Sequence, residues 1–188
     1  MAAAEQRFQP NKHVSTSLLL NIDALPGDGW SLLGQREFPA HAYKSDPVMD
    51  NAKVIKSTTS RRLFENHSSS RSVIVEVTPL ANAFDAQLWV SSAEARLRQN
   101  LAKVVEVMEF VVIDEVSLEG AEKTESFQSK ILVPKGLRTS LAISTSVGDV
   151  YTMVSCGSFE QPWTMQEVVE IAKTQVNRIV SARGASGL

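Results

Sequence analysis

A single cysteine, Cys156, in 188 residues excludes an intrachain disulfide and any thiolate cluster for zinc. An unstapled chain of this size fits a reducing compartment. No charge of one sign dominates: 19 basic and 21 acidic side chains leave a net charge of −2, and so no field that would gather a polyanion. Phosphate neutralisation needs clustered Lys and Arg, and the only adjacent basic pair is Arg61-Arg62, so nucleic acid is not an expected partner. No apolar run approaches the roughly 18 residues that cross a bilayer, and integral membrane association is not expected. Nor is a secretory leader expected, because the apolar patch at Leu18 to Leu20 is followed at once by Asn21 and Asp23. The expectation is a cytoplasmic protein.

What is present is an ordinary globular composition, 43% hydrophobic and 21% charged, with length for one core. The expected organisation is a flexible tail over 1–14, a single domain over 15–183 and a loose tail over 184–188. Leu18, Leu20 and Ile22 share one face at period two, as in a half-buried strand. After "LPGDGW", residues Trp30 to Phe38 can form a second extended segment. Lys44 to Ser70 is a long polar excursion whose apolar islands, Val54-Ile55 and Leu63-Phe64, fit short edge strands.

In "RSVIVEVTPL", Val73, Val75 and Val77 alternate with Ile74 and Glu76, and Pro79 ends the strand. From about Ser91 the period becomes helical, with Val90, Ala93, Leu97, Leu101, Val104 and Met108 forming one stripe. Ser91 and Glu94 have capping-box spacing, and Glu94 with Arg98 is a favourable four-residue pair. Three extended runs follow: Phe110 to Leu118, "TESFQSKILV" and "LRTSLAISTSV". Gly148-Asp149 is a two-residue hairpin signal, and "VYTMVSCG" returns as the partner strand.

A second helix opens with a capping box, Thr164 to Glu167, and a hydrophobic staple, Trp163 to Val168. Its stripe is Met165, Val168, Ala172, Val176 and Ile179, and Gly184 ends it. Two single-striped helices and consecutive strands joined by short turns predict an α+β domain. The expected architecture is an antiparallel β-sheet of about six strands flanked by two main α-helices in an α/β/α layering.

Chemistry-bearing motifs are sparse. A phosphate-binding loop places its glycines directly before a helix, whereas "PGDGW" leads into the extended "SLLGQREF", so this stretch reads as a turn with Trp30 as a packing anchor. His13, His41 and His67 lie in tail or loop, and none has metal-ligand spacing; His41 or His67 beside a distant carboxylate is the one general-base option. Cys156 alternates with Val154 and Thr152 and reads as a buried thiol. Asp114, Glu115, Glu119, Glu122 and Glu125 mark a solvent face. No catalytic residue, cofactor or metal ligand is assigned. The binding-surface candidates are Arg61 and Arg62, which could grip an anionic partner, His67, and Trp89, which lies beside the helical stripe.

Together, "LPGDGW", the long helix "AEARLRQNLAKVVEVMEF", the hairpin "LAISTSVGDVYTMVSCG" and the helix opening at "WTMQEVVEIA" resemble the PsbP-like fold. That fold includes LpqN-type lipoproteins, DcrB-like and Eag-type bacterial proteins and Ran-release factors. The match covers roughly Leu18 to Val180, and its elements are structural. The resemblance implies binding or accessory roles such as photosystem assembly, effector chaperoning or regulation of a small GTPase. Unlike the lipoprotein branch, the chain is not expected to carry a leader or a lipid-modified cysteine.

The expected function is therefore that of a non-enzymatic binding or accessory protein. It would engage a protein segment or an amphiphile on its sheet face or in the groove between sheet and helix. A small hydrolase or isomerase with a His and carboxylate site in a cupped sheet is the first alternative. The second is a subunit of a larger assembly, with another protein or further copies covering strand faces such as Leu141 and Ile143.

Overall fold

Alternation of Val73, Val75 and Val77 with Ile74 and Glu76 gives the chain its central strand, and six more strands assemble beside it. The structure, a computed structural model, describes residues 16–39, 57–102, 106–113 and 116–185. The strands are β1 (Trp30–Pro39), β2 (Thr58–Asn66), β3 (Arg71–Pro79), β4 (Glu106–Ile113), β5 (Lys123–Val133), β6 (Gly136–Val147) and β7 (Val150–Ser158). The helices are α1 (Ala83–Ser91), α2 (Ala93–Ala102) and α3 (Met165–Ala185), with a short 3-10 turn at Ile22–Ala24. All strand pairs are antiparallel, in the order β1-β2-β3-β7-β6-β5-β4.

The sheet is two meanders, β1 to β3 and β4 to β7, joined where β7 pairs with β3. Helices α1 and α2 carry the chain from β3 to the far edge at β4. That distance is four strand spacings, about 19 Å. Helices of nine and ten residues rise about 28 Å and can cover it.

Both faces of the central strands are covered. Val73, Val75 and Val77 are fully buried and cluster with Phe64, Leu141, Ile143 and Val154 against Val168, Ile171, Val176 and Ile179 of α3. On the opposite face, Tyr151 and Met153 pack with Trp89 and Val90 of α1, while Phe127 and Ala142 pack with Ala93 of α2. This is the expected α/β/α layering, with one strand and one helix more than the sequence suggests.

Local signals place two elements closely. The β6–β7 hairpin pairs Val147 with Val150, and Gly148 takes the left-handed φ of 57° that its turn requires. At the start of α3, the Thr164 N–H donates to Glu167 Oε2 at 2.8 Å and the Glu167 N–H donates to Thr164 Oγ1 at 3.3 Å. Trp163 and Val168 are buried beside this capping box as its staple.

Five expectations are corrected. Leu18 to Ile22 is not a strand: Leu18, Leu19 and Leu20 are all buried in an irregular segment, and Ile22 is exposed in the 3-10 turn. The first helix does not start near Ser91. Asn82 caps α1, its Oδ1 accepting the Asp85 N–H at 2.9 Å, and Ser92 separates α1 from α2. Met108 is in β4, not on a helix, because the helical run ends at Ala102. Leu63-Phe64 belongs to β2, an interior strand, and α3 continues past Gly184 to Ala185.

The expected tail over 1–14, His13, His41, Val54-Ile55, Val104, Asp114, Glu115 and residues 186–188 of the C-terminal tail lie outside the described residues.

Candidate binding groove between helix and sheet

On the face opposite α3, β6 presents Arg138, Ser140, Ala142, Ser144 and Ser146. Small side chains over most of a strand face leave room above the sheet. There α2 crosses, and a cavity of about 150 Å³ remains between helix and strands. Its walls are Leu97 and Leu101 of α2, Phe110 of β4, Phe127 and Ile131 of β5, and Ile74 of β3. Phe110 and Phe127 tilt against each other with centroids 5.8 Å apart. Polar residues alternate with these walls along the sheet: Ser129 of β5, Arg138 and Ser140 of β6, and Ser155 of β7.

Arg138 is the chemically distinctive member. Its Nη2 donates to Ser72 Oγ at 2.6 Å across two strands, and its ring neighbour is Phe159 at 5.9 Å. A Cβ at Gly157 would collide with the guanidinium, so the missing side chain there is what lets Arg138 lie flat on β7. Its Nε is buried without an acceptor, and among the described residues no carboxylate stands within 4 Å of it. Burial lowers its pKa from the usual guanidinium value, while the charge of Glu65 on β2 opposes the shift.

A wider, shallower depression of about 400 Å³ lies between the 3-10 turn and α3, with Asp23, Glu167 and Glu170 on its walls. Its residues are engaged in structure. Glu167 accepts from Arg71 Nη1 at 2.8 Å and serves the capping box, and Glu170 pairs with Lys173 at 2.7 Å. The "PGDGW" stretch borders this depression as the expected turn. Gly27 and Gly29 have φ of 74° and 85°, Trp30 Nε1 donates to Pro26 O at 2.9 Å, and the Trp30 ring stacks on Trp163 at 6.0 Å.

None of the four binding-surface candidates lines the groove. Arg61 and Arg62 cannot grip one anion, because successive strand residues point to opposite faces. Arg61 Nε donates to the buried carboxylate of Glu76 at 2.6 Å, and its guanidinium lies 4.9 Å over Phe38. Arg62, on the α3 side, donates to Leu19 O, Leu20 O and Asn21 Oδ1 and holds the N-terminal segment against the sheet. Trp89 is 3% exposed, not a surface residue: it packs on Tyr151 at 5.6 Å with Arg96 4.7 Å above it. His67 is exposed in the β2–β3 turn, its Nδ1 3.4 Å from Glu65.

Cys156 is fully buried, as expected, between Val73 of β3 and Leu141 of β6, and burial drives its thiol pKa upward. Leu141 and Ile143 are covered by α3 of the same chain. Glu125 is held above the usual carboxylate range, chiefly by burial.

Sequence reasoning passed over Arg138, Ser129, Ser140 and Ser155. The available signal was the run of small residues on one face of β6, opposite an apolar face, with Gly157 on the neighbouring strand.

No protein-family model matches the chain, and no curated protein matches it. Among solved structures, the extracellular domain of PknH from Mycobacterium tuberculosis is similar, with TM-score 0.54 and 11% identity over 89% of this chain and 97% of that one. A putative uncharacterised protein of Mycobacterium smegmatis gives TM-score 0.47 and 8% identity over 81% of this chain and 90% of that one. The first likeness shows a shared fold. Among the described residues, no helix is long and apolar enough to cross a membrane.

Proposed function

We propose that the protein is a non-enzymatic binding protein whose groove between α2 and the sheet receives an amphiphilic ligand. The supporting observation is the groove itself: apolar walls from Leu97, Phe110, Phe127 and Ile131, with serines and one cation on the sheet among them. Pockets that orient a ligand combine an apolar lining with a few polar groups in this way. The resemblance to the PsbP-like fold, whose members are mostly accessory or binding proteins, agrees with this reading, as do the α/β/α layers and the antiparallel sheet. Fold alone does not fix function, so the argument rests on the groove.

Calorimetric titration with octanol tests the groove as an apolar receptor. Binding by the wild type, abolished by Ser140→Phe with the melting temperature retained or raised, is the expected result. Binding that Ser140→Phe leaves intact places the ligand elsewhere. Capture of extended peptides that ignores Ser140→Phe would favour a protein segment on another face.

The cytoplasmic location is likewise our proposal. A single thiol fits a reducing compartment, whereas the protein sharing the fold is an extracellular domain. Fractionation of the full-length protein from its own cells separates the two.

A further inference from the structure

We propose that the groove selects a small organic anion, a carboxylate on a compact apolar body, whose charged end is met by Arg138. This inference rests on the groove being a ligand site and names the class of ligand it takes.

Size sets the body of the ligand. A cavity of about 150 Å³ is the size of an engineered apolar cavity that stays dry and admits benzene. Phe110 and Phe127 supply the apolar wall for a ring or a short acyl chain.

Charge sets the head. A guanidinium carries five N–H donors, and among the described residues Arg138 makes one hydrogen bond, to a neutral serine hydroxyl. Every ion pair among the described residues involves another cation, so Arg138 is a partly desolvated charge without a counter-ion in contact. Burying a cation is costly unless it is paired. An arriving carboxylate supplies the acceptors the site lacks, and charge-assisted hydrogen bonds of this kind are about twice as strong as neutral ones. Ser140 and Ser129 lie on the same side and can donate to the second carboxylate oxygen.

Retention of the arginine is itself tied to a built feature. The guanidinium is seated where any side chain at position 157 would displace it, and Ser72 on the next strand fixes its far end. A side chain serving only solubility needs no such seat.

The test compares octanoate with octanol, and benzoate with benzyl alcohol, by titration calorimetry at neutral pH, with NMR shifts at Ser140 and Ala142 reporting the site. Wild-type protein is expected to bind each carboxylate at least about tenfold more tightly than its alcohol. Arg138→Gln erases that preference while octanol binding survives, and Arg138→Lys keeps part of it. Gly157→Ala, which leaves the arginine in the chain but unseats it, also lowers the preference and guards against misfolding of the first variant. Equal binding of acid and alcohol by the wild type, or a preference that outlives Arg138→Gln, overturns the anion assignment and leaves the groove standing. Failure of all four probes to bind removes the groove as well.

Discussion

Gln175 of α3 acts as a strand for Leu20: its Oε1 accepts the Leu20 N–H at 2.9 Å, and its Nε2 donates to Leu18 O at the same distance. The amide is fully buried, so it supplies two backbone groups with partners that water cannot replace. Replacing Gln175 by Leu keeps the volume and orphans both groups. At roughly 1–3 kcal/mol for each of the two unsatisfied groups, the loss should be about 2–6 kcal/mol. That corresponds to a fall in Tm of about 4–24 °C for a chain of this length, measured by calorimetry. Hydrogen exchange at the Leu20 amide should accelerate with it.

Gly148 makes a similar argument for backbone. Its φ of 57° is disfavoured for residues with a Cβ, and an added Cβ would also meet the guanidinium of Arg183, which pairs with Asp149. Gly148→Ala should cost about 1–2 kcal/mol in urea unfolding. Asp149→Ala, which removes the surface ion pair alone, should cost less than about 1 kcal/mol.

Glu167 gives the structure a pH dependence. Burial alone would raise its pKa, but the Thr164 N–H, Arg71 and the Thr164 hydroxyl outweigh it and the net shift is downward from 4.5. A carboxylate whose folded pKa is depressed stabilises the fold fully above its unfolded pKa and loses that contribution as pH falls through the folded value. The stability difference between wild type and Glu167→Gln should therefore be constant from pH 6 to 8, in order of magnitude the plateau expected two units above 4.5. Below 4.5 it should shrink steadily, as read by urea unfolding at several pH values.

Cys156 should be inert in the folded protein. The thiolate is the nucleophile, and burial keeps the thiol protonated. A thiol-specific disulfide reagent at mildly alkaline pH should label it only after urea unfolding. Rapid labelling of native protein would contradict the packing of Cys156 between Val73 and Leu141.

Much of this fold is legible because its signals are local. Alternation in β3, the Gly148 hairpin and the Thr164 capping box each concern residues within a few positions of one another. Leu18 to Leu20 defeated the same logic: the Leu20 N–H and the Leu18 carbonyl both bond the Gln175 side chain, 155 and 157 positions away, so period two carried no strand. Nine-residue α1 was missed because it shows no single stripe, with Trp89 and Val90 adjacent and both buried. Alternation of Arg61 and Arg62 across the sheet was readable, and it rules out their shared grip on an anion. The small-residue floor of the groove was readable on β6, but its roof was not, since Arg138 lies on a strand face whose cover is set by where α2 crosses. That crossing is a property of topology.

The joint between the two meanders has a kinetic meaning. Every other strand pairing links sequence neighbours, but β3 meets β7 with Ser72 and Gly157 85 positions apart. Closing that long loop costs more chain entropy than forming any hairpin, and non-local pairings of this kind slow folding. Ile74 and Ser155, on opposite sides of the joint, both line the groove. On the proposed reading of the groove, ligand-binding competence should appear only once β3 and β7 have paired, never in either half-sheet, and an occupied groove would act as a clasp on that joint.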